Sequence, residues 1–367
     1  MTSNQPTSRG QTVLIDSNNS KKLSVMNFAM TIAIVVFHWK NFYMLNLTAP
    51  VNQTIGVTAY GILNVLSPVS LRFFFFISAF LLYFGISDTE DVKRKLKKRL
   101  YSLGIPFLVW NVLILVWNFA YTFLTRRALP NYRPLDYLLG FSFEPFCGPF
   151  WYILALLMLL PLTLLTVCIK HRRALTTAML AALAIAALIL SPVLKNVGGF
   201  FGNWFSNLFD YVPAYCLGVW FALYCPRAVL FESASVFALV IAIGALAVSA
   251  VTLTLDFPYD AALDKVAYLA IPTALWILLP PSCFRKIKIT YPLKISFFIY
   301  AMHAALIGLL NTVLARVVGL NSLNLPATVA VHVGLLAILY AICLGFAFAC
   351  KKILPKKFYA VLSGGRA

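Results

Sequence analysis

The chain has 367 residues, of which 61% are hydrophobic and only 11% charged, with a formal net charge of +19 and a mean hydropathy of +0.86. Soluble domains carry about 25% charged residues, so a water-soluble enzyme of this length is excluded. The positive balance does not indicate a nucleic-acid partner either, because the lysines and arginines fall in short clusters between apolar runs, as the positive-inside rule requires of a polytopic membrane protein.

In chain order, residues 1–20 are polar and read as a disordered cytoplasmic tail. They do not form a cleavable signal with the next segment, since the apolar run after Lys21 and Lys22 is long and ends in His-Trp-Lys without a small-residue cleavage site. Apolar runs of about 20 residues then recur, each long enough to cross about 30 Å of hydrocarbon as a helix, and only structures that satisfy their own backbone can do so. The expected fold is an all-α integral membrane bundle of about ten transmembrane helices. They fall at 23–41, 68–86, 103–124, 149–169, 174–191, 206–225, 233–254, 264–281, 295–317 and 327–350. The clusters "KRKLKKR" (93–99), "KHRR" (170–173), "RKIK" (285–288) and "KKILPKK" (351–357) all fall on the cytoplasmic side if the N-terminus does. Both termini are therefore expected in the cytoplasm, with residues 21–350 forming one transmembrane domain and 351–367 a basic tail. Two outer loops, 42–67 and 125–148, exceed what their connections need, and the first carries Asn-x-Thr sequons at Asn46 and Asn52. Seven cysteines with no Cys-x-x-Cys pair indicate neither a disulfide framework nor a zinc site.

Ionisable residues inside apolar runs stand out, because each costs roughly 2.5–3.5 kcal/mol at a helix centre and those retained usually face a bundle interior or a watery cavity. His38 lies in the outer third of the first span and His303 near the middle of the ninth. Arg72 begins the second span from the outside, and Asp210 lies one turn into the sixth. Together they describe a polar track from mid-membrane outward. Simpler roles compete: Arg72 can snorkel to headgroups, Asp210 can cap a helix start, and His332 fits an interhelical hydrogen bond. The "KRKLKKR" run serves topology, yet Lys97, Lys98 and Arg99 also suit a phosphate-rich donor approaching from the cytoplasm.

Four stretches in order resemble the membrane-bound acyltransferase 3 family. They are the first helix ending in His38; "VSLRFFFFISAFLLYFG", with Ser78, Ala79 and Phe80 where the family has Ser-Gly-Phe or Ser-Gly-Tyr; "LKKRLYSLGIPFLVWN", with Arg99, Pro106, Trp110 and Asn111; and the pair "GPFWYILALL" at Trp151 and "SFFIYAMH" at Tyr300 and His303. The chain departs from the family pattern at Asn27, which stands where the family has an arginine, and at Ala155 and Ala79. An amide supplies neither the fixed charge nor the five donors of a guanidinium.

The resemblance implies transfer of an acyl group, usually acetyl from acetyl-CoA, to a cell-surface sugar. Such transfer needs a base for the hydroxyl proton and donors for the developing oxyanion, and imidazole suits the first because it titrates near neutrality. His38 is then either general base or transient acyl carrier, with His303 as the second catalytic candidate. Asn27, Lys97, Lys98 and Arg99 are the candidates for the donor, and Arg72, Ser78, Trp151, Asp210 and Tyr300 for the acceptor. The expected partners are an acyl-CoA, a sugar or glycan and membrane lipid, with no metal and no nucleic acid. The expected location is the plasma membrane, as the bacterial cytoplasmic membrane. Two other classes compete: a transporter or flippase, in which the same residues form a substrate or proton path, and a family member that binds without catalysis.

Overall fold

The computed structural model describes residues 16–39, 50–226, 229, 243–244, 260–317 and 325–365, and among these only helices, turns and bends occur. The expected span at 233–254 lies outside the described residues except for 243–244, as does Asn46. Among the described residues, seven helical segments are long and apolar enough to cross a membrane: Ser17–His38, Leu66–Tyr83, Thr89–Arg126, Gly148–Ile169, Arg173–Val197, Ser296–Val313 and Val333–Ile353. Each coincides with an expected span.

The first helix, α1 (Ser17–His38), begins within the stretch expected to be a tail, where the Asp16 carboxylate accepts the Asn19 N–H at 2.6 Å. Lys22, expected as a flanking charge, turns inward instead. Its ammonium donates to the Trp276 carbonyl and sits 4.1 Å from that indole's centroid, which offsets its desolvation. The second helix, α2 (Pro50–Tyr83), is the axis of the bundle. The window Leu66–Tyr83 is 72% buried, against 17% for the peripheral α8 (Arg173–Val197).

Helix α9 (Gly199–Tyr224) packs between α8 and α2. At 26 residues it is about 39 Å long. Its absence from the strongly apolar segments has a physical cause: Asn203 and Asn207 are exposed, Ser206 and Asp210 turn to Ser191 of α8, and all four lower its hydropathy. It meets α2 closely at Gly218, where an added Cβ would collide with the Phe76 carbonyl oxygen and stand 3.0 Å from the Ala79 methyl. The methyl at Ala79 is therefore accommodated by a bare backbone on the facing helix, the usual membrane device for close helix approach.

The short α3 (Thr89–Arg99) is capped by Asp88, with Glu90 and Asp91 in its first turn and Lys97, Lys98 and Arg99 in its last. Each end is thus complementary to the helix dipole. It runs without a break through a π-helical turn, Leu100–Gly104, into α4 (Ile105–Arg126). Pro106 explains the wide turn. It has no N–H to give to the preceding turn and its ring would strike the Ser102 carbonyl in an α register.

After α5 (Pro134–Gly140), a 3₁₀ turn at Gly148–Phe150 leads into α6 (Trp151–Met158) and α7 (Leu162–Ile169). Beyond α9 come α10 (Asp260–Leu278), α11 (Tyr291–Lys294), α12 (Ser296–Val317), α13 (Leu325–Ile353) and α14 (Lys356–Leu362). The segment read as a basic tail folds back. Trp110 Nε1 donates to the Leu362 carbonyl at 3.2 Å, the Tyr291 and Tyr359 hydroxyls meet at 2.9 Å, and Tyr359 and Leu362 are buried. Hydrogen bonds from Lys95 to Leu82 and Phe84, Lys170 to Ile86 and Tyr224 to Lys170 gather the ends of α2, α7 and α9 with α3 at this basic end of the bundle.

Candidate functional site

Two connected spaces open from the basic end. The outer one, about 520 Å³, is lined by Arg94, Lys95, Lys98, Arg99 and Ser102 from α3 and the π turn, and by Leu81 and Leu82 from α2. Arg94, Lys95 and Lys98 share a face of α3 by their i, i+1, i+4 spacing. Lys95 is already engaged, closing the last carbonyls of α2, and Arg94 pairs with Asp91. Among the described residues only Arg94 of these cations has a carboxylate partner, and Lys98 and Arg99 remain to meet an anion at the mouth.

Arg99 and Leu81 also line the inner space, a cavity of about 120 Å³. Its apolar wall includes Leu23, Ile77, Leu103 and Leu156, and its polar lining is Asn27, Thr31, Ser78, Tyr152, Ser296 and Tyr300 together with Arg99. The Arg99 guanidinium donates to the Ser78 carbonyl at 3.3 Å, and the Ser78 and Tyr152 hydroxyls lie 3.2 Å apart. Four residues singled out by sequence, Asn27, Ser78, Arg99 and Tyr300, thus converge on one cavity from separate stretches of chain.

Tyr300 connects this cavity to the histidines. Its hydroxyl donates to the Pro149 carbonyl, its ring stacks on Phe150, and its centroid is 5.9 Å from that of His303. His303 is fully buried and its Nδ1 lies 2.7 Å from the Tyr300 carbonyl oxygen. A carbonyl can only accept, so Nδ1 carries the proton and the neutral ring keeps its lone pair on Nε2. That buried Nε2 has no hydrogen-bond partner among the described residues. His38, which is exposed at the end of α1, stands with its ring centroid 5.1 Å from that of His303. The two residues, assigned to different depths by counting along the sequence, therefore form a pair. Along α1, His38 lies about 10 Å beyond Thr31 of the cavity wall, at 1.5 Å per residue.

The remaining candidates lie elsewhere. Lys97 is exposed and lines neither space. Arg72 is buried over the rings of Tyr211 and Tyr268, at 5.0 and 5.4 Å. Asp210 pairs with Lys265 at 2.7 Å and accepts from Ser191 at 2.6 Å, so it is neither a cap nor isolated. Trp151, 5.6 Å from Tyr211, lines a third space at the opposite end of the bundle from the basic mouth.

Sequence reasoning passed over Tyr152, one residue beyond Trp151, and Asn111 as a positioning residue. The Asn111 amide donates to the Phe107 carbonyl at 2.8 Å and accepts the Cys147 N–H at 2.9 Å. It thereby anchors the turn that carries Pro149, Phe150 and Trp151. Arg94 and Lys95 were visible within the basic run, and helical periodicity was the signal that separates them from Lys97.

Searches among curated proteins and among solved structures find no match, but a family model described as an acyltransferase domain matches residues 26–350. That stretch takes in nearly the whole chain, including Asn27, Arg99 and both histidines of the pair, and the chain belongs to the acyltransferase 3 family.

Proposed function

We propose that the protein transfers an acyl group, acetyl in the first instance, from a cytoplasmic acyl-CoA to a hydroxyl of a cell-surface or exported glycan, from within the plasma membrane. The observation that carries this reading is the His38–His303 pair, joined through Tyr300 to a cavity whose neck is an arginine at a basic mouth. In this reading both termini and the basic end face the cytoplasm.

The phosphates of the donor rest against Lys98 and Arg99, where charge-assisted hydrogen bonds are strong, and the pantetheine arm extends past Leu81 and Leu103 into the cavity. Asn27, whose amide offers one donor group and one acceptor, hydrogen-bonds the arm's amides where a guanidinium is usual in the family. His38 takes the proton of the acceptor hydroxyl. The oxygen attacks the thioester carbonyl carbon, the carbon–sulfur bond breaks, and the proton passes to the departing sulfur to give free CoA. The Ser78 and Tyr152 hydroxyls, deeper in the cavity wall, hydrogen-bond the arm along its path toward His38. His303, its tautomer fixed by Tyr300, offers Nε2 to orient the His38 ring and to spread its charge.

The test is a membrane assay with labelled acetyl-CoA. His38→Ala is expected to abolish transfer to surface glycan at unchanged protein abundance, and retained transfer would discard the assignment. A transporter would instead move its substrate with no need for CoA.

A further inference from the structure

At the end of the bundle away from the basic mouth lies a cleft of about 460 Å³ that the chemistry above does not use. One wall is the first two turns of α9, where Phe200, Asn203, Trp204 and Asn207 recur at i, i+3, i+4 and i+7 and so share one face. The other wall is the segment from Phe143 to Trp151, which contributes Glu144. Phe143 holds the walls together, its ring edge-on to Trp204 with centroids 5.3 Å apart.

The composition is specific. Aromatic rings supply flat apolar faces, while two exposed amides one helical turn apart and one exposed carboxylate supply hydrogen-bond donors and acceptors. The Trp204 indole N–H, buried in the wall, has no acceptor among the described residues. Among the described residues no lysine or arginine lines the space, although the chain as a whole carries 30 of them. A cleft of aromatic faces with a few placed polar groups recognises a ligand that is itself flat and apolar on one face and ringed by hydroxyls at its edge.

We propose that this cleft docks the acceptor, and that the acceptor is a neutral or amine-bearing pyranose glycan rather than a uronate or sialate. The sugar face lies on Trp151 and Phe200, and its hydroxyls bond Asn203, Asn207 and Glu144. The lone carboxylate repels an acidic sugar and welcomes an amine. The proposal rests on the acyl-transfer reading for the word acceptor, but the binding site stands on its own residues. The location suits the role. Trp151 faces the cleft while the next residue, Tyr152, faces the inner cavity, so a single turn of α6 separates the two spaces. Pro149 and Phe150, between Gly148 and Trp151 of the cleft wall, contact Tyr300 beside His303.

The full-length protein in lipid nanodiscs is titrated with chitotriose, maltotriose and trigalacturonate, and binding is read by saturation-transfer NMR. Acetyl-CoA hydrolysis is measured on the same samples. The expected result is binding of a neutral trisaccharide and not of trigalacturonate. Binding should weaken roughly tenfold or more in Asn203→Ala/Asn207→Ala, which removes two hydrogen bonds, while thioester hydrolysis stays unchanged. Glu144→Lys should admit trigalacturonate. Sugar binding that survives the double substitution overturns the site, and equal binding of trigalacturonate to the wild type overturns the specificity. Active thioester hydrolysis with no sugar bound overturns the proposal and leaves acyl transfer standing. Sugar binding without any thioester turnover upholds the cleft and removes the acyl-transfer reading.

Discussion

Replacing His303 with asparagine separates the two nitrogens of that ring. The asparagine amide nitrogen falls near the place of Nδ1, which lies 2.7 Å from the Tyr300 carbonyl, so the bond that fixes the side chain is retained. The amide does not reach the place of Nε2, whose lone pair is the only basic site that the ring offers once Nδ1 is protonated. Keeping that hydrogen bond limits the stability loss to about 1 kcal/mol. Loss of the group that orients His38 and spreads its charge is expected to slow transfer by about 10²–10⁴-fold, or roughly 3–5 kcal/mol of barrier. The assay is release of free CoA thiol from acetyl-CoA by purified protein in nanodiscs, normalised to folded protein by thermal melting. His303→Leu, which loses both nitrogens, should be as slow and also melt lower. Turnover close to wild type in His303→Asn, with an unchanged melt, would refute a role for Nε2 and reduce His303 to a packing residue.

Three further perturbations test the arrangement around the pair. Arg99→Gln, at the neck shared by the mouth and the cavity, should raise KM for acetyl-CoA by about 10–100-fold, the loss of one hydrogen bond to a charged group. The exposed Lys97→Gln should leave KM unchanged. Gly218→Val drives a side chain into the Phe76 carbonyl and should destabilise the protein by about 1–3 kcal/mol or more in a thermal-shift series, whereas Gly345→Ala, with nothing within 4 Å of an added Cβ, should be neutral. Removal of residues 356–367 takes away the acceptor for Trp110 and the partner of Tyr291. It should lower the melting temperature and also raise KM, because Gly364 abuts Phe297 of the cavity wall.

The helical class and most spans were legible because hydrocarbon imposes length and hydropathy on every segment that faces it. The same cost made His38 and His303 conspicuous. It also misled about depth, since counting residues along each helix takes no account of tilt or of where each helix starts, and only the fold sets the two rings side by side. Asp210 looked solitary for a related reason: its partner Lys265 lies on another helix, and ion pairing across the bundle leaves no local pattern. Lys22 obeyed the charge rule for topology, yet a carbonyl and an indole hold it inside. The aromatic cleft was invisible because its walls are remote in sequence, and Asn203 and Asn207 resemble a polar helix start until the loop carrying Phe143 is laid across them.

The π-helical turn at Leu100–Gly104 makes chain length, as well as side-chain identity, a determinant of the mouth. Rewinding the same residues as α-helix would rotate everything before the turn by about 100° relative to α4, because a π turn takes nearly one residue more per revolution. Arg99 would then swing off the Ser78 carbonyl while every amino acid of the basic run stayed the same. A chain one residue shorter here would present the same face of α3 through a plain α turn, whereas one of equal length that lost the wide turn would present another.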